Sequence, residues 1–329
     1  MHLHQVYYSS VPDFIIELTQ TKEMQRLKGI GMDCGCDYTS FPQYAGIKPA
    51  NRYDHSIGVA LIVWNYTHDI KQTIAGLFHD IATPAFAHVI DFLNGDHIRQ
   101  ESTETATTKI IKNSAEIGRI LKKYEINVED VVDYHKYPIA DNDLPQLSAD
   151  RLEYTLNNLL RFADCDLDDI SRYYNDIVVG CNEYGIEELM FKTADICQDF
   201  MVKCLPVFIM YSCDSNRFAM EAWAQLLRKA IALNVIELKD LDQSEKTIIK
   251  KLLKNEETNM EYNYLTNVSQ IMVSKEQKVG EHWYKVDAKK RYVNPYVQNI
   301  GRAYDLFSKV RKEIDDYLNC SYDYWISAK

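Results

Sequence analysis

Residues 75–81 read Ala-Gly-Leu-Phe-His-Asp-Ile, so a histidine and an aspartate close an apolar segment of helical character. His55, in Asn-Arg-Tyr-Asp-His-Ser, and Asp150, in Ser-Ala-Asp-Arg-Leu, also lie in or beside helical, mainly apolar segments. Burying an unpaired carboxylate or imidazole costs several kcal/mol. Shared coordination of a cation is therefore the simplest explanation for His55, His79, Asp80 and Asp150.

The donor set indicates the kind of cation. Two imidazoles and two carboxylates suit a divalent transition metal, so we expect Mn, Fe, Co, Ni or Zn, with Mg as a companion of substrate phosphates. A His-Asp pair alone is weak evidence, because the chain holds a second pair, His68-Asp69, before the polar Lys71 and Gln72. We interpret that second pair as surface residues.

The fold class follows from the small number of glycine and proline residues and from the spacing of apolar residues along the chain. Glycine and proline number only 12 and 8 in 329 residues, about half of average usage, which favours long helices. Residues 260–297 instead contain alternating and aromatic stretches that predict a small β element. The sequence therefore predicts a mostly α fold with a small β element in the C-terminal region. Helical spacing is found at 13–30, 54–66, 73–81, 103–124, 127–135, 148–163, 167–180, 185–212, 215–233, 243–254 and 298–318.

Composition excludes several classes of protein. The formal net charge is −11, so extended binding to the negatively charged backbone of a nucleic acid is not expected. The longest apolar runs, 57–64 and 205–211, are much shorter than the roughly 20 residues of a membrane span. The first residues lack the basic and apolar regions of a secretory signal, so we expect no membrane association and a cytoplasmic location. Eight cysteines without a CxxC pair give no support to a disulfide framework.

Several segments occur in a characteristic order over residues 20–160. They are Gln25-Arg26-Leu27, Phe41-Pro42, Asn51-Arg52-Tyr53-Asp54-His55-Ser56-Ile57-Gly58-Val59, Ala75-Gly76-Leu77-Phe78-His79-Asp80-Ile81, Pro84-Ala85-Phe86-Ala87-His88 and Gln146-Leu147-Ser148-Ala149-Asp150-Arg151-Leu152-Glu153-Tyr154. In these segments the chain resembles the HD-domain metal-dependent phosphohydrolases. Within that superfamily it is most similar to the deoxynucleoside triphosphate triphosphohydrolases (dNTPases).

The resemblance implies roles for particular residues. It implies that His55, His79, Asp80 and Asp150 are the metal ligands, and that Arg52, Arg151 and Tyr154 face the phosphates of a nucleotide substrate. It also implies a mostly helical fold that assembles as a homo-oligomer. The positions of the two arginines beside proposed ligands agree with this role, because a guanidinium forms strong hydrogen bonds with a phosphate.

His88 and Asp91 are the candidate catalytic residues. They lie three residues apart, and so on one face of a helix, and they match positions near the catalytic centre of the dNTPase branch. We interpret His88 as a proton donor or phosphate contact that Asp91 orients.

The chain departs from the family pattern at two positions, and both departures concern proton transfer. Thr83 stands where dNTPases usually carry a histidine, and Gln100-Glu101 stands where they carry His-Glu. Gln100 and Glu101 remain substrate-binding candidates, although glutamine cannot transfer a proton at neutral pH. His97 is a possible substitute three residues earlier. These losses bear on triphosphohydrolase activity and leave metal binding unaffected.

Three functions are consistent with the sequence. The first is a dNTPase that releases a nucleoside and triphosphate. The second is a di-iron oxygenase of the HD type, which needs further histidines such as His97 and His135. The third is a nucleotide sensor that keeps the pocket without the proton-transfer groups.

The remaining motifs carry less chemical information. We interpret Cys34 and Cys36 as loop residues and the basic run Lys289-Lys290-Arg291 as a solvated surface. We assign the metal site to a domain over residues 1–190, and packing or assembly to residues 191–329.

Overall fold

The computed structural model describes residues 3–94, 106–280 and 282–329. Helices α1 to α16 of this part of the chain are, in order, Leu3–Tyr7, Asp13–Thr19, Lys22–Arg26, Arg52–Thr67, Ile70–Phe78, Val89–Asn94, Thr107–Asn113, Ala115–Lys123, Ala149–Phe162, Leu167–Asn175, Ala194–Tyr211, Asp214–Ala232, Glu245–Leu252, Glu256–Asn267, Ala303–Leu306 and Ser308–Asn319. Strands β1 to β6 are Ile177–Cys181, Glu187–Phe191, Ile271–Ser274, Tyr296–Val297, Gly301–Arg302 and Trp325–Ala328.

Helix α4 is the centre of the packing and touches both α5 and α9. Its residues 59–63 are fully buried, as the continuous apolar run predicts. Each of the three helices begins at a side chain that accepts hydrogen bonds from the first turn, which satisfies otherwise unpaired amides. The caps are Asn51 for α4, Asp69 for α5 and Ser148 for α9.

The strands form two small sheets. In the larger one the order is β1-β2-β4-β5, where β1 and β2 are an antiparallel hairpin and Phe191 of β2 pairs in parallel with Val297 of β4. In the smaller one β3 pairs with β6 in antiparallel orientation. The prediction of a mostly α fold with a small C-terminal β element is confirmed. The domain boundary predicted at residue 190 falls within β2.

The hairpin corrects two predicted helices. Residues 177–181 and 187–191 are strands, although we expected helices over 167–180 and 185–212. The sequence contains the reason, because Ile177, Val178 and Val179 favour strands. Asn182 accepts hydrogen bonds from the amides of Tyr184 and Ile186 and so fixes the turn.

Other predicted bounds also change. The opening helix over 13–30 is divided into α2, α3 and a 3₁₀ turn, and residues 127–135 form two short 3₁₀ turns. Residues 260–267 belong to helix α14 and not to a β element, because Asn255 caps this helix and Leu265 is buried. Propensity alone is a weak guide where a cap or a buried contact decides the conformation.

Helices α11 and α12 make up the one segment, among the residues described, with the length and apolarity of a membrane span. The segment is interrupted at Ser212-Cys213, and both helices bury apolar side chains within the fold. α12 also buries the charged Arg217. Of the most apolar window in this segment, 44% is buried within the fold.

Candidate metal centre

Four donor atoms converge where α4, the end of α5 and the start of α9 meet. The Nε2 atoms of His55 and His79 lie 3.1 Å apart, and Asp150 Oδ1 lies 3.0 Å from the first and 3.5 Å from the second. Asp80 Oδ2 lies 3.8 Å from His55 Nε2 and 3.4 Å from His79 Nε2. Donors held at about 2.1 Å from one cation are separated by about 3.0 to 3.6 Å. Four of these five distances fit a transition metal, and the distance of 3.8 Å between Asp80 Oδ2 and His55 Nε2 is slightly longer.

The outer ring nitrogens decide which tautomers the histidines adopt. His79 Nδ1 lies 2.7 Å from the carbonyl oxygen of Gly76, and His55 Nδ1 lies 2.5 Å from Glu153 Oε2. Both partners accept hydrogen bonds, so both Nδ1 atoms donate, and the neutral rings present lone pairs at Nε2. Two lone pairs only 3.1 Å apart repel each other. A cation between them resolves this conflict, so the donor set fits a divalent metal.

The electrostatics of the cluster also favour a cation. Burial opposes the charged imidazolium, but Glu153 and Asp150 outweigh burial and raise the pKa of His55 to about 8. Burial also opposes the charged form of His79. Asp80 and Asp150 outweigh burial and raise the pKa of His79 well above its ordinary value. At Asp80, burial is outweighed by Arg52 and His79, which hold the pKa of the carboxyl well below its usual range. The surroundings of the cluster therefore favour positive charge at its centre, which a bound cation would supply.

Asp80 is fixed by two further partners. Arg52 Nη1 donates to Asp80 Oδ2 at 2.7 Å, and Thr83 Oγ1 donates to Asp80 Oδ1 at 2.7 Å. Thr83, the residue that departs from the family pattern, is thus a buried support of a candidate ligand. Arg52 lies against both the cluster and the neighbouring cavity.

A cavity of about 1000 Å³, including its open mouth, adjoins the cluster. Its polar lining includes His55 and Asp150 of the metal cluster, together with charged and imidazole groups that can approach an anion. Its remaining lining is rich in aromatic and methionine side chains. The polar lining includes Arg52, His88, Lys289 and Arg291, and the apolar lining includes Met32, Tyr44, Phe162, Met210, Tyr211 and Met220. A ligand with a phosphate and a flat apolar group matches this lining.

The structure brings His88 and Asp91 together as expected. His88 Nδ1 lies 2.9 Å from the fully buried Asp91 Oδ2, and His88 Nε2 lies 3.3 Å from Arg291 Nη2. Burial and the charge of Arg291 lower the pKa of His88 to about 4. A neutral His88 donates through Nδ1 and accepts through Nε2. To act as the predicted proton donor, His88 must therefore first gain a proton at Nε2. To contact a substrate phosphate it needs no such change.

The two other residues predicted to face phosphate differ in position. Tyr154 lines the cavity, and burial raises its pKa to about 12, so it keeps its proton. Arg151 does not line the cavity. Its guanidinium lies 3.0 Å from Asp141 and donates to Asn142 and to the Gln146 carbonyl oxygen.

Gln100, Glu101 and His97 lie outside the described residues. His135 belongs to a 3₁₀ turn, and its Nδ1 lies 3.6 Å from Asp141 Oδ2. Cys34 and Cys36 are buried thiols that line the cavity, so this loop contributes to the pocket wall.

Sequence reasoning assigned no role to three residues of the site. Glu153 lies three residues after Asp150, a spacing that places both on one helix face and that signals their common environment. Lys289 and Arg291 belong to the basic run that we interpreted as solvated, yet both line the cavity. That interpretation was wrong for these two residues, because a charge pattern does not reveal which distant surface it will face.

The family model described as "HD domain" matches residues 52–164, which span the whole cluster. The chain therefore contains an HD domain. A Bacillus subtilis protein called uncharacterized protein YdhJ is 27% identical over 266 residues, which are 78% of this chain and 77% of that protein. The metal-dependent phosphohydrolase cns2 of Cordyceps militaris is 29% identical over 164 residues, which are 50% of this chain and 45% of that protein.

Structural similarity extends beyond the HD domain. The crystal structure of a phosphohydrolase from Bacteroides thetaiotaomicron has a TM-score of 0.63 to this chain at 12% identity. The similarity covers 97% of this chain and 96% of that one. The helices and strands that follow the HD domain are therefore part of a shared fold.

Proposed function

We propose that this HD-domain protein is a metal-dependent phosphohydrolase that acts on a nucleotide, and that its reaction is hydrolysis of a dNTP to nucleoside and triphosphate. The observation that carries the proposal is the convergence of His55, His79, Asp80 and Asp150 at the wall of a cavity with cationic and aromatic lining. The names of cns2 and of the Bacteroides protein, both phosphohydrolases, support the hydrolase class.

The residues of the chain have separate tasks in this reaction. A divalent cation in the cluster supplies Lewis acidity towards a phosphoryl oxygen and lowers the pKa of a water molecule. Glu153 and the Gly76 carbonyl hold the imidazoles with Nε2 facing the centre. Arg52 places a positive charge beside Asp80, where it favours the negative charge that develops on phosphate. Tyr154 keeps its proton and can donate to an oxygen of the substrate.

Hydrolysis of a phosphate monoester is the second candidate. Among the described residues, the cationic side chains that line the cavity are Arg52, Lys289 and Arg291, and Arg52 is already paired with Asp80. This number of charges suits one phosphate at least as well as three. The two reactions differ in product, because the first releases triphosphate and the second releases orthophosphate.

The apolar wall of the cavity suits a nucleotide but offers few groups that would select a particular base. Asn158 Nδ2 donates to the Tyr211 hydroxyl at 2.9 Å, and Asn216 accepts from the Tyr44 hydroxyl at 3.0 Å. These groups are paired within the wall, so it offers flat surfaces for stacking more than partners for base edges.

A product assay tests the proposal. We would incubate the manganese-loaded protein with dNTPs, NTPs and nucleoside monophosphates and separate the products by ion-exchange chromatography. Triphosphate with nucleoside supports the dNTPase, and orthophosphate supports the monoesterase. Tight nucleotide binding without any product supports the sensor, and two irons per chain with an oxygen-dependent optical change support the oxygenase.

A pair of variants links the activity to the cluster. Asp80→Ala should abolish both tightly bound metal and turnover, because it removes a ligand and the partner of Arg52. Asp69→Ala, in the second His-Asp pair, is the matched control. It should keep metal and turnover while costing about 1 kcal/mol of stability through the lost helix cap. An active, metal-loaded Asp80→Ala protein would overturn the assignment. Homo-oligomer assembly and cytoplasmic location stay predictions.

A further inference from the structure

A basic segment from the C-terminal region forms part of the cavity wall. We name residues 285–291, Lys-Val-Asp-Ala-Lys-Lys-Arg, the basic strap. Ala288, Lys289 and Arg291 line the cavity beside the metal cluster. Lys285 and Lys290 line a separate depression together with residues 320–323. The strap therefore sends two of its four cationic side chains towards the candidate active site.

The backbone of the strap is held by two helices. Arg217 of α12 donates to the carbonyl oxygen of Val286, and the Tyr317 hydroxyl of α16 accepts from the Arg291 amide at 3.1 Å. Lys290 Nζ donates to the carbonyl oxygens of Leu318 and Cys320 at the end of α16, each at 2.6 Å. These bonds connect the strap to the fold on either side of Lys289, so its cavity-facing side chains are presented from a fixed support.

Arg291 reaches the candidate catalytic histidine. Its Nη2 lies 3.3 Å from His88 Nε2, across 203 residues of sequence. Burial raises the pKa of Tyr154, and the charges of Arg151 and, more weakly, Arg291 oppose that rise. Arg291 is therefore close to both groups that the HD domain presents to the substrate.

The balance of charge around the cavity favours an anion at this place. The carboxylate of Asp33 is paired with Arg161 through two bonds of 3.0 and 2.5 Å. Asp80 is paired with Arg52, and a metal in the cluster would neutralise Asp150. Among the described residues, the carboxylates that line the cavity are Asp33 and Asp150, and the strap places two positive charges in the same wall.

We infer that the cavity-facing residues of the basic strap are part of the substrate site, and that Arg291, assisted by Lys289, binds the phosphate of the substrate. This inference rests on the proposed function and deepens it, because it assigns phosphate recognition to the C-terminal region. A guanidinium fork bonds two phosphate oxygens at once, so Arg291 contributes direction as well as charge.

Substitutions in the strap test the inference by two measurements. The first is the KM and kcat of the manganese-loaded protein on its best nucleotide substrate. The second is the Kd of inorganic phosphate, measured by titration calorimetry, which requires no turnover. Arg291→Ala should raise KM and Kd about ten- to hundredfold, the equivalent of one charge-assisted hydrogen bond, with a smaller change in kcat. Arg291→Lys should lie between Arg291→Ala and the unmodified protein, because it keeps the charge and loses the fork.

Lys285→Ala is the matched control. Lys285 is a cationic residue of the same strap, but it is half exposed and pairs with Asp323 outside the cavity. Both constants should be unchanged in this variant. Circular dichroism and thermal melts of all variants establish that they are folded, and Arg291→Lys is the informative variant if Arg291→Ala unfolds.

The outcomes separate the two proposals. If the protein shows no turnover, yet Arg291→Ala weakens phosphate binding and Lys285→Ala does not, the proposed function fails and the strap assignment stands. If turnover occurs and both arginine variants keep normal KM and Kd, the strap assignment is overturned. It is also overturned if the unmodified protein binds no phosphate, or if Lys285→Ala weakens binding as much as Arg291→Ala.

Discussion

Glu153→Gln is the substitution that most directly tests how the fold tunes the metal centre. Glu153 Oε2 accepts the Nδ1 proton of His55 at 2.5 Å, and both side chains are only 1% exposed. The carboxylate fixes the tautomer of His55 and raises its basicity, so Nε2 is a better donor to a metal. Glutamine keeps the shape and an acceptor oxygen but removes the charge.

The size of the effect follows from the kind of hydrogen bond that is lost. A hydrogen bond to a charged group contributes about 1.5–3 kcal/mol, whereas a neutral one contributes about 1 kcal/mol. The difference of about 0.5–2 kcal/mol corresponds to a metal Kd that is about 2- to 30-fold weaker. Loss of an outer partner of a ligating histidine typically weakens metal binding by about 10- to 100-fold, which agrees with this value.

The assay is competition for manganese with a chromogenic chelator, together with metal content by elemental analysis. Asp176→Asn is the control, because Asp176 is also a buried carboxylate but accepts its hydrogen bonds from Thr193, outside the cluster and the cavity. We expect Asp176→Asn to lower stability and leave the metal Kd of the folded protein unchanged. A Glu153→Gln protein with the unmodified Kd would refute the role of Glu153.

Two further predictions concern the surroundings of the site. In Gly58→Ala, the new Cβ would lie 2.7 Å from Glu153 Cγ, so the carboxylate must move and metal affinity should fall. Gly118→Ala is its control, since nothing lies within 4 Å of that position, and this exchange should stabilise the helix by about 0.5–1 kcal/mol in urea unfolding. Burial and the charge of Arg291 lower the pKa of His88 to about 4, so the unfolded chain binds a proton below pH 6.5 that the folded protein excludes. The resulting stability is complete above pH 6.5 and is lost as the pH falls towards 4. Between pH 7 and pH 5 the metal-free protein should therefore lose about 2 kcal/mol more unfolding free energy than His88→Asn, as urea titrations would measure. Equal losses in the two proteins would contradict the assigned environment of His88.

The central helices could be predicted because their signals are local. Residues 59–63 form an uninterrupted apolar run, and Asn51 and Ser148 are favourable caps directly before their helices. The hairpin at 177–191 was missed because its β-branched run lies between helical patterns, and pairing with a neighbouring strand outweighs weak local propensity.

The sequence by itself determined the HD domain and the identity of the converging donors. His55, His79, Asp80 and Asp150 each lie in or beside a mainly apolar helical segment, and a buried polar group there requires a partner. The tertiary structure decided which cations line the cavity. Arg151 follows a candidate ligand directly but turns to Asp141, whereas Arg291 comes from the distant strap to His88. Local spacing sets the face of a helix, but the partner of a long charged side chain depends on which surfaces the whole fold brings together.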